Sequence, residues 1–246
     1  IKEIKKLFIF PHMGDGGLAA GAASAIESEI ISKVSSKKMN NAYLSNLITS
    51  KEIEIALKKF KCQYSYFENI EAFIAKMLSQ NKVIARFYGA MEYGPRALGN
   101  RSILYSAKDK SVNIWLNKRL KRSEFMPFAP VVLEEMANDY FFIKHKNPAK
   151  YMTIVCPVTE KCKEECPAVV HIDSTARPQV VGVKDNKQMW AILKEYKKLT
   201  GLGLLVNTSF NMHEEPIVAT PEDAIKAFYA ADLDGLAIGN FYVVKG

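Results

Sequence analysis

The sequence predicts an α/β fold built around a mixed sheet, and three observations predict it. Apolar runs of strand length, Val83 to Phe87, Leu204 to Val206 and Gly235 to Ile238, recur along the chain. Longer amphipathic stretches that open on helix caps lie between them. Hydrophobic residues make up 48% of the 246 positions, so a core can form without metal or disulfide staples.

The elements follow in order. Leu7 to Phe10 reads as a short buried strand that runs into the turn Pro11-His12-Met13-Gly14-Asp15-Gly16-Gly17. Leu18 to Ile31 is Ala-rich and helical. Ser32 to Asn41 holds Ser, Lys and Asn with almost no apolar content, and reads as a linker. Thr49-Ser50-Lys51-Glu52 is a capping box opening a helix with Ile53, Leu57 and Phe60 on one side. Asn69 caps a helix through Leu78. Lys110 to Leu120 and Glu134 to Phe141 read as helical, and Met152 to Val155 and Val169 to Ile172 as strands. Asp185 to Leu199 is an amphipathic helix ended at Gly201. Thr220-Pro221-Glu222-Asp223 starts another, with a cap, a proline and acids at the positive end of the dipole. Gly235 to Ile238 and Phe241 to Val244 close the chain as strands.

The net charge of +8 favours anionic partners: nucleotides, small phosphates or RNA. Four cysteines in a chain this long fit a reduced, cytoplasmic setting better than a disulfide framework. Cys156, Cys162, Cys166 and His171 match no common zinc spacing. No apolar run has the length of a membrane span. The start, Ile1-Lys2-Glu3, has no initiator Met, and the expectation is the interior of a longer protein.

Four stretches carry chemistry. Glu92 to Ser102 follows a buried strand and holds glycines, a proline, Arg96 and Arg101. Glycines let backbone N–H groups approach an anion, and arginine offers a fork that matches phosphate oxygens. Lys118-Arg119-Leu120-Lys121-Arg122 ends a helix in cations and leads to Pro127-Phe128-Ala129-Pro130. His171-Ile172-Asp173-Ser174-Thr175-Ala176-Arg177-Pro178-Gln179 crowds polar groups into nine residues past a strand end, where α/β proteins place ligands. Asn207-Thr208-Ser209-Phe210-Asn211, with Glu215-Pro216-Ile217-Val218 after it, ends another strand in small donors. Each alone is also what an ordinary turn or a solvated helix end looks like.

Together, and in this order, they resemble the O-carbamoyltransferases of the NodU/CmcH/TobZ type, from about residue 10 to the C-terminus. That family carries a Gly-Pro-Arg-Ala-Leu-Gly-x-Arg-Ser segment, a Pro-Phe-Ala-Pro segment, a His-x-Asp-Gly-Thr-Ala-Arg-x-Gln segment and an Asn-Thr-Ser-Phe-Asn segment. The resemblance implies a YrdC-like twisted mixed sheet with flanking helices over residues 37–246, preceded in residues 1–36 by the tail of an ASKHA-like domain. The YrdC-like domain would combine ATP with carbamoyl phosphate to give a carbamoyl-adenylate. Transfer to an acceptor hydroxyl would need the missing N-terminal module. Arg96 and Arg101, with Ser102, would hold phosphates, and Lys121 and Arg122 would face the leaving pyrophosphate. His171, Asp173, Thr175 and Arg177 would line the carbamoyl and α-phosphate side. Asn207, Thr208, Ser209 and Asn211 would complete the cradle. The catalytic candidates are Arg96, Arg101, His171 and Arg177.

Asp15 matches a family aspartate that helps to ligate iron, or another divalent metal, in the first module. Its usual partners, two histidines spaced by three, are absent from this sequence. Four other positions depart from the family: Ala90 and Met126 replace common arginines, and Ser174 and Glu214 replace glycines. The competing readings are a threonylcarbamoyl-adenylate-type synthase and a non-catalytic RNA-binding module. The Gly-Pro-Arg-Ala-Leu-Gly run opposes the first, and the lack of aromatics interleaved with lysines opposes nucleic acid.

Overall fold

The structure is a computed structural model and describes residues 5, 7–31, 39, 41–121 and 128–245. Its centre is an eight-stranded mixed sheet flanked by helices. The strands are β1 (Gln63–Tyr66), β2 (Ile84–Phe87), β3 (Arg101–Ser106), β4 (Ala129–Leu133), β5 (Cys156–Pro157), β6 (Thr175–Ala176), β7 (Gln179–Val181), β8 (Leu204–Ser209), β9 (Gly235–Ile238) and β10 (Phe241–Val244). The large sheet runs β1-β10-β9-β2-β3-β8-β4-β7, and β5 and β6 form a separate two-stranded ladder. β2 and β9 are parallel, as are β4 and β7, and the other neighbours are antiparallel.

The longer helices are α1 (Leu18–Ile31), α2 (Ser50–Lys59), α3 (Ile70–Ser79), α4 (Val112–Arg119), α8 (Lys187–Thr200) and α9 (Pro221–Ala230). Three short ones lie between them: α5 (Ala137–Tyr140), α6 (Lys146–Ala149) and α7 (Glu160–Glu165). Three of the N-caps are those the sequence implies, and Asn186, inside the stretch read as helical from Asp185, is a fourth. Thr49 with Glu52 and Thr220 with Asp223 form complete capping boxes, and Asn69 and Asn186 accept from the N–H groups of Ala72 and Met189. Gly201, at φ 82°, ends α8 in the left-handed conformation that glycine adopts cheaply.

One continuous core runs through the sheet and its helices, from Ile53 and Leu57 of α2 to Leu236 and Val243 at the end. Helix α1 is different. It buries no residue, and Leu18, Ile26 and Ile30 are exposed on it.

Three strand expectations are corrected. Leu7 to Phe10 is not a strand, because no neighbouring chain among the described residues pairs with it. Met152 to Val155 is turn and coil; Met152 sits at φ 55°, which an extended strand excludes, and the ladder starts only at Cys156. Val169 to Ile172 is a 3₁₀ turn (Pro167–Val169) running into a bend, with Ile172 fully exposed. The strand of this region comes later, inside the polar motif, where Thr175 and Ala176 pair with Pro157 and Cys156.

Candidate anion-binding site

The segment Glu92 to Asn100 leaves β2 and returns into β3 as a loop laid across the sheet. Four buried polar side chains hold it from below. Arg86 donates to Gly99 O and Asn100 Oδ1, and Gln179 Nε2 donates to Leu98 O at 2.8 Å. Asn207 Nδ2 donates to Ala97 O at 3.2 Å, and Ser102 Oγ accepts from Gly99 N at 2.9 Å. The register explains the set: Arg86 pairs with Ser102, Leu104 with Asn207, and Val131 with Gln179, so alternate residues of β2, β3, β8 and β7 present one polar stripe on one face. Gly99, at φ 108°, is required here, since a Cβ would also lie 3.1 Å from Met189 Cγ.

The backbone N–H groups of this loop are occupied from within. Glu92 Oε1 accepts from Leu98 N at 2.7 Å, Asn100 N at 2.7 Å and Arg101 N at 3.2 Å. An internal carboxylate therefore fills the amide nest that glycine-rich spacing suggested for phosphate.

The two arginines of the run have opposite fates. Arg101 is fully buried, donates to the carbonyls of Tyr88, Asn100 and Gly89, and stacks over Phe87 at 3.7 Å. Burial pushes its guanidinium down to about 10, against some relief from Glu92. Arg96 is half-buried, and among the described residues it has no carboxylate, hydrogen-bond or stacking partner. Burial holds its pKa below the arginine range. Arg177 lies near it: burial depresses its pKa, and the positive charge of Arg96 depresses it further. The buried Nε of Arg177 has no hydrogen-bond partner. Both guanidiniums are partly desolvated and neither has an acidic partner among the described residues, an arrangement that suits an anion.

The 171–175 turn borders Arg177. Thr175 Oγ1 donates to Asp173 Oδ1 at 2.6 Å and meets His171 Nδ1 at 3.1 Å. Because the hydroxyl proton is spent on Asp173, Nδ1 of a neutral His171 carries the hydrogen and Nε2 is left as an acceptor. Burial lowers the His171 pKa; Asp173 opposes the shift and Arg177 adds to it. The turn opens into a groove of about 1150 Å³ that also contains Lys110, Lys163, Asn113 and Ile114. A second cavity, about 470 Å³, lies at the ends of β2 and β9 against the start of α8 and holds none of the candidate residues.

The structure thus brings together Arg96, Arg177, His171, Asp173 and Thr175. It sets Ser102 and Asn207 beneath the loop as supports and spends Arg101 on the carbonyls of Tyr88, Gly89 and Asn100. Ser209 donates to Asn211 Oδ1 at 2.7 Å, and Asn211 Nδ2 donates to Glu215 O, so these two close their own turn, with half-buried Thr208 just before it. That turn adjoins the basic helix end: His213 N donates to Leu120 O, next to exposed Lys121. Arg122 and Met126 lie outside the described residues. Asp15 is exposed in a 3₁₀ turn (Asp15–Gly17), and no three His, Cys, Asp or Glu side chains gather to hold a metal among the described residues. The chain as described does not fit a complete metal centre. Sequence reasoning did not assign a role to Glu92 or Arg86; the charge of Glu92 at the head of a Gly-rich run was the available signal for the first.

The fold is that of an α/β domain with a large mixed sheet flanked by helices. The family description "Carbamoyltransferase C-terminus" matches residues 75–245, and the chain belongs to that family. Among its relatives, the uncharacterized protein MJ1058 of Methanocaldococcus jannaschii is 39% identical over 98% of this chain and 40% of its own length. The nodulation protein NolNO of Sinorhizobium fredii is 34% identical over 97% of this chain and 36% of its own. The nodulation protein NolO of Bradyrhizobium diazoefficiens is 34% identical over 97% and 44%. The chain spans less than half the length of these relatives. Of solved structures, full-length HypF in its phosphate- and nucleotide-bound form superposes with a TM-score of 0.47 at 16% identity, over 74% of this chain and 22% of that one. No described helix is long and apolar enough to cross a membrane.

Proposed function

We propose that this chain carries the activating half of an ATP-dependent O-carbamoyltransferase. The observation that supports it best is the Arg96–Arg177 pair, two partly buried cations without a protein counter-charge among the described residues. Water cleaves carbamoyl phosphate to carbamate and phosphate. A carbamate oxygen then attacks the α-phosphorus of ATP, the bond to the β-phosphate bridge breaks, and carbamoyl-adenylate and pyrophosphate leave. Both steps need charge neutralisation and alignment more than a protein nucleophile.

In this reading Arg96 and Arg177 neutralise phosphate oxygens, and Lys121 with Arg122 and the Ser209–Asn211 turn flank the leaving pyrophosphate. His171 Nε2 accepts an N–H of the carbamoyl amide, with Asp173 and Thr175 fixing the ring. The 1150 Å³ groove beside the turn has room for a nucleotide. Residues 1–36 are the tail of the transfer module, where Asp15 would join a metal site completed by residues outside this chain, and the acceptor hydroxyl would bind on that module.

The test is calorimetric titration of the chain with inorganic pyrophosphate and with carbamoyl phosphate. Saturable binding that Arg96→Ala and Arg177→Ala each weaken supports the site. Binding that both variants leave unchanged contradicts it.

A further inference from the structure

Resting on that reading, we propose that Glu92 is the positioning residue of the anion site, acting through the loop that carries Arg96. Its side chain is buried, and its Oε1 gathers three amides spaced over four residues, Leu98, Asn100 and Arg101. Arg96 lies between Glu92 and those amides in sequence, so the carboxylate closes a ring of backbone from which the Arg96 side chain projects. Gly94, at φ 121°, allows the tight reversal inside that ring.

Three further hydrogen bonds from residues 42–44 and 93 brace the closure. The backbone of Glu92 bridges to Tyr43, and the flanking bonds Leu44 N to Met91 O and Tyr93 N to Ala42 O stitch residues 42–44 alongside residues 91–93. Tyr43 Oη then donates to Leu98 O at 2.8 Å, on the far side of the ring. The charge of Glu92 thus acts on Arg86 and Arg101, while Arg96 has no acidic partner among the described residues. An acid of the same loop that paired with Arg96 instead would abolish the anion site; burial beneath the loop prevents this.

The distinguishing experiment compares Glu92→Gln, Glu92→Asp and Glu92→Ala, alone and with Arg96→Ala, using inorganic pyrophosphate as the probe in calorimetry and amide hydrogen exchange as a readout of the loop. Gln keeps one acceptor oxygen at the same reach, so its Kd stays within about threefold, whereas Ala weakens binding by about tenfold or more. Asp, one methylene shorter, falls between them and keeps the chain folded if Ala does not. The amides of Leu98, Asn100 and Arg101 exchange faster in Asp and Ala. In the Arg96→Ala background a Glu92 change weakens binding no further, because Glu92 acts only through Arg96. Folded Asp and Ala variants with unchanged affinity, or losses that add to that of Arg96→Ala, overturn the role. Absence of pyrophosphate binding by the unmodified chain defeats the anion site itself and this role with it. Pyrophosphate binding by the unmodified chain that folded Asp and Ala variants match in affinity defeats the role alone.

Discussion

Asn207 and Ala97 stand 110 positions apart in the chain, and the Asn207 amide donates to the Ala97 carbonyl at 3.2 Å. The same nitrogen donates to Gln179 Oε1 at 2.8 Å, and Gln179 donates in turn to Leu98 O. Strands β8 and β7 thereby anchor the loop that carries Arg96. Asn207→Ala leaves a buried carbonyl and a buried amide oxygen each short of a donor, at a cost of about 1–3 kcal/mol. Thermal denaturation should show a lowered midpoint, and pyrophosphate affinity should fall with it as the loop loosens.

Arg96 and Arg101 should separate cleanly. Arg96→Ala removes a side chain with no protein partner among the described residues, so stability changes by no more than about 0.5 kcal/mol while pyrophosphate affinity drops. Arg101→Ala strips donors from the carbonyls of Tyr88, Gly89 and Asn100 and empties the space over Phe87. It should cost more than about 2 kcal/mol. Paired melting curves and titrations check both; equal loss of stability in the two variants would refute the division of labour.

Two departures from the family sequence fall on strained backbone. Ser174 and Glu214 occupy φ 61° and φ 62°, the left-handed region where a side chain costs about 1 kcal/mol relative to glycine. Ser174→Gly and Glu214→Gly should each raise stability by a few tenths to about 1 kcal/mol, less the added entropy of the unfolded chain. Chemical denaturation at constant m-value measures this.

The ring of His171 titrates below the ordinary histidine value, chiefly because of burial. Between the lowered folded value and about 6.5 the unfolded chain holds more protons than the folded one. Its contribution to stability is therefore present above about pH 6.5 and is lost as the pH falls through the lowered folded value. His171→Asn should flatten the stability profile across that interval. Anion affinity should rise in the unmodified protein over the same fall in pH, as the ring gains a positive charge beside Arg177.

Much of the fold was legible because its signals are local. The caps at Thr49, Asn69 and Thr220 and the glycine at 201 appear where their chemistry implies. Strands β1, β3, β4 and β7 of the large sheet were not read from the sequence. Arg101, Ser102 and Gln179 look like ligand residues, and only the register shows that Ser102 and Gln179 belong to a buried polar stripe while Arg101, paired with Phe87, lies on the opposite face of the sheet. Which arginine of the Glu92–Ser102 run is spent on backbone carbonyls depends on contacts across neighbouring strands. Spacing alone could not tell a nest filled by Glu92 from one open to phosphate.

Activation of carbamoyl phosphate with ATP is read out by pyrophosphate release. The protein with its upstream module, given ATP and carbamoyl phosphate without acceptor, should release one pyrophosphate for each phosphate, and Arg96→Ala and Arg177→Ala should suppress both. Pyrophosphate release that does not depend on carbamoyl phosphate, or none at all, would contradict the account.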